Sequence, residues 1–146
     1  SNSPTKRAIT HQLSRATETM ALTRVALGLG AEGYRTDPQL IEIAFGDREG
    51  STIAQLHQRD PAGIAQREHD KWHFLPPGGE SYEMVSWRMA AWYRGLARDA
   101  VVTAHGGTAR GLMAYLGLAR PAAAPLVDIE QGVVYVFCGD RLARYA

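Results

Sequence analysis

One histidine of this chain stands where ligand chemistry is expected. His105 follows a short apolar run, residues 100–104, and precedes Gly106 and Gly107, after which a helical pattern begins. This order predicts a buried strand that ends in a tight turn and opens a helix. Ligands bind at the carboxyl ends of strands in open α/β sheets, and the first free N–H groups of a helix, here from Gly106 onward, favour an anion. The sequence therefore places His105 at the mouth of a candidate anion site.

The elements that would position this site alternate between helices and apolar strands. Helices are predicted from about residue 13, at 52–58, at 61–71 and from residue 81 onward. The last has the clearest apolar stripe, which is expected to lie on the sheet: Met84, Val85, Met89, Trp92, Tyr93 and Leu96. Residues 133–137 and 141–145 are predicted to form a hairpin that adds an antiparallel edge. The pattern predicts an α/β fold, a three-layer α/β/α sandwich around a mostly parallel sheet, in one domain over residues 1–146.

Two regions carry weaker signals. Residues 1–10 show no usable periodicity, and residues 34–38 are interpreted as a connector. In the helix from residue 13, the predicted apolar side consists of Ala16, Met20, Ala21, Val25 and Leu27.

Composition narrows the class of protein. With 146 residues, 45% hydrophobic and 21% charged, the chain is long enough to bury a core. A net charge of +1 without runs of like charge argues against an extended nucleic-acid footprint, and the apolar runs are too short to span a bilayer. The single Cys138, expected to be a buried thiol, and the lack of a signal-peptide pattern predict a cytoplasmic protein. No histidine has the paired spacing that would predict a metal site.

Four motifs resemble one family in order and spacing. They are LSRATET at 13–19, LIEIAFGDREG at 40–50, GES at 79–81 and VTAHGG at 102–107. Together they resemble the histidine phosphatase superfamily, with its phosphoglycerate-mutase-like fold, from about Leu13 to the end of the chain. The resemblance implies phosphoryl transfer through a phosphohistidine, without metal or cofactor.

The resemblance also implies roles for individual residues. Arg15 matches an arginine that binds the phosphate, His105 matches the second, phosphate-binding histidine, and Glu42 matches the acid that protonates the leaving oxygen. These roles suit the side chains, because a guanidinium can contact two phosphate oxygens and partial burial between Ile41 and Ile43 would favour a protonated Glu42. Each residue alone has a plainer interpretation: Arg15 as a solvated charge on a helix, Glu42 as a residue on an exposed face or an ion-pair partner, and His105 as a polar turn residue.

One departure from the family pattern concerns the nucleophile. The family carries it in an Arg-His-Gly triplet on a central strand beside the one that leads to His105, and no such triplet occurs here. We expect these residues to be part of a longer chain, because a missing central strand leaves backbone groups unpaired. The alternative is a short form whose gap is filled by a partner or an exchanged segment. Near Arg15 the match also changes, since His11-Gln12 stands where the family has Ser-Pro, and residues 3–8 repeat the pattern with Arg7 as a second candidate.

The sequence thus predicts a phosphomonoesterase that acts on a small phosphorylated metabolite. The compact segment 50–79 favours hydrolysis over mutase activity, because mutases of the family tend to carry longer insertions there. The alternatives are a non-catalytic member that binds a phosphorylated ligand, motivated by the absent triplet, and a phosphoglycerate mutase. The expected partner is the small substrate, with no nucleic acid or membrane, and apolar surface around a missing strand would favour self-association.

Overall fold

The centre of the fold is a small parallel sheet. The computed structural model describes residues 7–11 and 14–146. Its parallel strands, in the spatial order β2-β1-β3, are β1 (Arg7–Thr10), β2 (Arg35–Thr36) and β3 (Ala100–Thr103). The register sets Thr10 opposite Thr103, so the segments that follow β1 and β3 leave the sheet at the same end. This shared end is where the candidate residues must converge.

The described part of the chain has five α-helices around the sheet, and each overlaps a helix or helical segment predicted from the sequence. They are α1 (Ser14–Ala26), α2 (Ile53–Arg59), α3 (Pro61–His69), α4 (Tyr82–Arg94) and α5 (Gly106–Tyr115). Side chains fix several of their starts: the Oγ1 of Thr52 accepts the N–H of Gln55 at 3.2 Å, and the Oγ of Ser81 accepts the N–H of Met84 at 3.2 Å. Such caps satisfy backbone donors that the first helical turn cannot pair.

The apolar stripe of α4 packs against α5, and its buried residues share one core with the sheet. Val85, Met89 and Trp92 are buried, whereas Met84 is exposed. Close packing of the two helices depends on Gly111 of α5, because a Cβ there would lie 2.8 Å from Cγ1 of Val85. The buried core joins the α4 stripe to the sheet through Ile9.

Two strands lie where none was predicted. β1 falls in the region without periodicity, and β2 falls in the predicted connector. Both are short, and their pairing with neighbouring strands is long-range in sequence, which a local pattern cannot show.

The C-terminal hairpin is present but separate from the parallel sheet. β4 (Val134–Cys138) and β5 (Arg141–Tyr145) pair antiparallel as a two-stranded sheet, so the prediction of an added edge was wrong. Within the described residues β3 pairs with β1 alone. The other edge of β3 therefore has no neighbouring strand there, and the resemblance places a further strand beside β3.

Burial differs from expectation at a few positions. In α1 only Ala16 and Met20 are buried, while Val25 is exposed, as is Leu27 just after the helix. Cys138 is exposed instead of buried. Among the described helices, none has the length and hydropathy needed to cross a bilayer.

Candidate active site

The ends of β1 and β3 are joined by hydroxyl groups. The hydroxyl oxygens of Thr10 and Thr103 are 2.6 Å apart, and Thr103 Oγ1 also donates to the carbonyl oxygen of Ala16 at 2.9 Å. The second bond connects β3 to the first turn of α1, which carries Arg15. His11 is the residue after β1, and His105 lies two residues after β3. The two histidines therefore lie at the same corner of the fold, where these hydrogen bonds hold the strand ends together.

His105 is the N-cap residue of α5. Its N–H donates to Thr108 Oγ1 at 3.2 Å, and the Thr108 hydroxyl donates back to the His105 carbonyl oxygen at 2.7 Å. The residue is only 9% exposed, and its Nε2 has no hydrogen-bond partner among the described residues. A buried polar atom of this kind costs free energy unless a ligand or water completes it.

Glu42 is attached to the same helix N-terminus. Its Oε1 accepts the backbone N–H of Gly107 at 2.9 Å and that of Ile43 at 2.9 Å. A Cβ at position 107 would lie 2.2 Å from that oxygen, so this contact requires glycine. Gly106, as the first residue of α5, has an N–H without an intrahelical acceptor. The helix start thus fixes the carboxyl group and presents a donor beside it.

An ion pair between Glu80 and Arg88 supports the irregular segment that carries Glu42. Glu80 accepts two hydrogen bonds from Arg88, at 2.9 and 3.0 Å, and one from the N–H of Ala44 at 3.2 Å. Arg88 also donates to the carbonyl oxygen of Gln39 at 2.7 Å. Burial raises the pKa of Glu80, but the hydrogen bonds and charge of Arg88, with the Ala44 N–H, outweigh it and hold that pKa below its ordinary value.

Glycines allow the two supporting loops to touch. Gly46 has a φ of +57°, and a Cβ there would lie 2.1 Å from the carbonyl oxygen of Pro77. At Gly79 a Cβ would lie 2.5 Å from the carbonyl oxygen of Ala44. The sequence motifs at 40–50 and 79–81 therefore meet as one support for Glu42.

Three charged or titratable side chains act on the imidazole of His105. Burial lowers the pKa of His105 below its ordinary value, the charge of Glu42 opposes this, and the charges of Arg15 and His11 lower the pKa further. Charges act measurably on a pKa over short distances only. Arg15, on the exposed first turn of α1, is thus within electrostatic range of a buried histidine that lies far from it in sequence.

The structure brings the predicted residues Arg15, Glu42, His105 and Gly106 to one corner. The second candidate, Arg7, begins β1 opposite Ala100, at the end of the sheet away from that corner. His11 was noted in the sequence only as a departure from the family pattern. The sequence feature that could have identified His11 is its position directly after strand β1, but that strand is too short to recognise from one sequence.

Nothing in the described residues groups three or more metal-binding side chains. The arrangement instead offers a guanidinium, imidazoles, a helix N-terminus and one carboxyl group. Together they can bind an oxyanion and transfer a proton to it or from it.

Fold and site together define an α/β domain whose candidate site lies at the carboxyl ends of parallel strands. The chain belongs to the histidine phosphatase superfamily (branch 1), whose family model matches residues 1–141. The fold is shared with the α-ribazole phosphatase from Shigella flexneri at a TM-score of 0.76 and 22% identity, over 94% of this chain and 70% of that chain.

Two further similarities are closer in sequence. A mycobacterial glucosyl-3-phosphoglycerate phosphatase, solved with inorganic phosphate, is 27% identical with a TM-score of 0.69 over 84% of this chain and 63% of that chain. A 2,3-bisphosphoglycerate-dependent phosphoglycerate mutase from Beijerinckia indica is 28% identical over 140 residues, 89% of this chain and 66% of the mutase. The chain spans 32% of the length of the mycobacterial relatives that it matches at 29% identity.

Proposed function

We propose that this chain is part of a phosphatase that hydrolyses the phosphate monoester of a small metabolite. The observation that carries the proposal is the convergence at one helix N-terminus. Glu42 accepts the N–H of Gly107, and the charges of Glu42 and Arg15 both act on the buried imidazole of His105. These groups come from three separate stretches of sequence. Together they can bind one phosphoryl group and protonate its leaving oxygen.

Phosphoryl transfer depends mainly on positioning and on stabilising the charge of the transferring group. In the proposed mechanism Arg15, His105 and the N–H of Gly106 bind the phosphoryl oxygens. The P–O bond to the leaving group breaks while Glu42 gives its proton to the leaving oxygen, so an alcohol departs. The phosphoryl group passes to a histidine. Water then attacks the phosphorus and gives a proton back to Glu42 while the P–N bond breaks, so inorganic phosphate is released.

The proposed acceptor is a histidine in an Arg-His-Gly triplet, as the resemblance implies. The printed sequence has no such triplet, and we place it in a segment that precedes Ser1 in the complete protein. An encoded upstream segment containing the triplet is the expected finding, and an intact mass of 15.9 kDa would contradict it.

Phosphoglycerate mutase activity is the second candidate, favoured by the similarity to a 2,3-bisphosphoglycerate-dependent mutase. The compact segment 50–79, with only the short helices α2 and α3, supports hydrolysis instead. A requirement for a bisphosphorylated primer would support the mutase.

The test is turnover by the complete protein. We expect release of inorganic phosphate from at least one compound in a panel of sugar phosphates, phosphoglycerates and nucleoside monophosphates. Glu42→Gln and His105→Gln should each abolish most of that release, whereas His57→Gln, at an exposed position of α2, should not. Ligand binding without turnover in any assay would instead support a non-catalytic member of the family.

A further inference from the structure

The second histidine at this corner has no role in the motifs that identified the site. His11 is 6% exposed, and its ring centroid lies 5.6 Å from that of His105, with the planes inclined by 67°. It follows the central strand β1 directly, in register with the strand that leads to His105. Its position is therefore fixed by the sheet and not by a flexible loop.

We propose that His11 is a further phosphate-binding side chain, which contacts the same phosphoryl group as His105 and adds a second imidazole to the site. The inference rests on the proposed function and extends it to a residue outside the family motifs. It concerns the binding of the phosphoryl group, and it assigns no covalent step to His11.

The balance of charges supports this role. The groups that act on His105 from the surrounding elements are Glu42, Arg15 and His11. Burial lowers the pKa of His105, and repulsion by the charges of Arg15 and His11 lowers it further, against the single carboxylate of Glu42. A bound dianion reverses that repulsion, because it interacts favourably with the two imidazoles and the guanidinium.

The geometry of His105 supports it as well. Its Nε2 is buried and has no hydrogen-bond partner within residues 7–11 and 14–146, so the imidazole has a polar atom for a ligand to complete. An edge-on neighbour at 5.6 Å leaves the two rings near enough to contact different oxygens of one tetrahedral group. The paired hydroxyls of Thr10 and Thr103 hold both backbones at that separation.

A purely structural His11 would act only through its packing and its contacts within the protein. His11→Phe separates the two roles, since it keeps an aromatic ring and removes both ring nitrogens. His11→Gln is the second variant, because it keeps a donor and tolerates a different packing. His57→Gln, the removal of an exposed histidine, is the matched control.

The experiment is a titration of the complete protein with inorganic phosphate, followed by calorimetry and by the imidazole ¹⁵N resonances. In the unaltered protein, both His11 and His105 resonances should shift with a single Kd. His11→Phe should weaken phosphate binding about tenfold, as expected for one charge-assisted hydrogen bond, and should raise the pKa of His105 by removing a neighbouring positive charge. His57→Gln should change neither.

The outcomes distinguish the inference from the proposed function. If phosphate shifts His105 alone and His11→Phe binds phosphate as tightly as the unaltered protein, His11 is a packing residue and the inference is wrong. If the unaltered protein binds no phosphate and His105 does not shift, the proposed function itself fails, and the inference with it. The measurement on the unaltered protein decides the matter even if a His11 variant does not fold.

Discussion

Two charged clusters of this molecule differ in how completely they pair their own groups. Glu80 and Arg88 form an ion pair with two hydrogen bonds between their side chains. Glu80 also accepts the backbone N–H of Ala44, and Arg88 donates to the carbonyl oxygen of Gln39. At the ends of β1 and β3, the charges of Glu42, Arg15 and His11 act on the imidazole of His105, whose Nε2 has no partner among the described residues. The first cluster is complete by itself, whereas the second would be completed by the anion that we propose it binds.

This difference separates a structural role from a functional one. Damage to the complete cluster should appear first as lost stability, because it leaves a poorly solvated charge without its partner. Damage to the incomplete cluster should appear as lost binding and turnover with little loss of stability. The predictions below test this contrast, beginning with the largest effect.

Glu42→Gln removes the proposed proton donor. We expect kcat for an alkyl phosphate to fall about 10³-fold, within the range for general acid catalysis. An aryl phosphate such as p-nitrophenyl phosphate has a leaving group that needs no proton, so its kcat should fall less than about tenfold. Steady-state kinetics on both substrates make the comparison, and equal losses would exclude Glu42 as the acid.

His105→Gln removes a phosphate contact instead of a proton. We expect kcat/KM to fall about 10²-fold to 10³-fold for both kinds of substrate, because the lost interaction stabilises the phosphoryl group and not the leaving oxygen. The free energy of unfolding should change by less than about 1 kcal/mol, since Nε2 has no partner to lose. A loss of several kcal/mol on denaturation would show that His105 is structural.

Arg88→Gln tests the complete cluster. The side chains of Arg88 and Glu80 are 19% and 20% exposed, and the variant leaves Glu80 without its cation. We expect the free energy of unfolding to fall by about 2 kcal/mol, measured by urea denaturation. Arg98→Gln, at an exposed position, is the control and should leave stability unchanged.

The same variant should also affect the reaction through Glu42. Arg88 and Glu80 together hold the backbone at Gln39 and Ala44, on either side of Glu42. Loss of the Arg88 bonds loosens this segment, so kcat should fall more for alkyl than for aryl phosphates. A loss of stability with no such difference between substrates would show that the segment keeps its position without the ion pair.

The smallest predicted effect is on pH-dependent stability. Because the pKa of His105 is below its ordinary value in the folded protein, the unfolded chain binds the proton more tightly. The stabilisation is complete above about pH 6.5 and is lost as the pH falls through the folded pKa. His105→Gln should remove this part of the slope in denaturation experiments between pH 5 and 7, and an unchanged slope would assign it to other groups.

The sequence predicted the helices well where capping residues and an apolar stripe occur together. Two examples are Ser81, which caps α4 ahead of its apolar stripe, and Thr52, which caps α2. Both signals lie within a few residues of the helix that they start. It failed for β1 and β2, because two to four residues carry no usable period and their pairing depends on distant strands. The burial of α4 against α5 likewise depends on Gly111, which appears in sequence only as a weak helix former.

The candidate site was predictable in part. His105 and the glycines after it have a local signal, since a strand, a turn and a helix start follow in order. Arg15 and Glu42 were assigned by family resemblance, which also implied that they lie near His105, whereas no local pattern in the sequence indicates this proximity. His11 was not identified as a site residue, because its proposed role depends on its neighbour across the sheet and not on its neighbours in sequence.

The central claim is that Arg15, Glu42 and His105 surround one oxyanion. A crystal structure of the complete protein with bound phosphate tests it most directly. The account predicts phosphate oxygens within hydrogen-bond distance of the Arg15 guanidinium, Nε2 of His105 and the N–H of Gly106, with the Glu42 carboxyl group facing one oxygen. Phosphate bound elsewhere, with this corner unchanged, would contradict it.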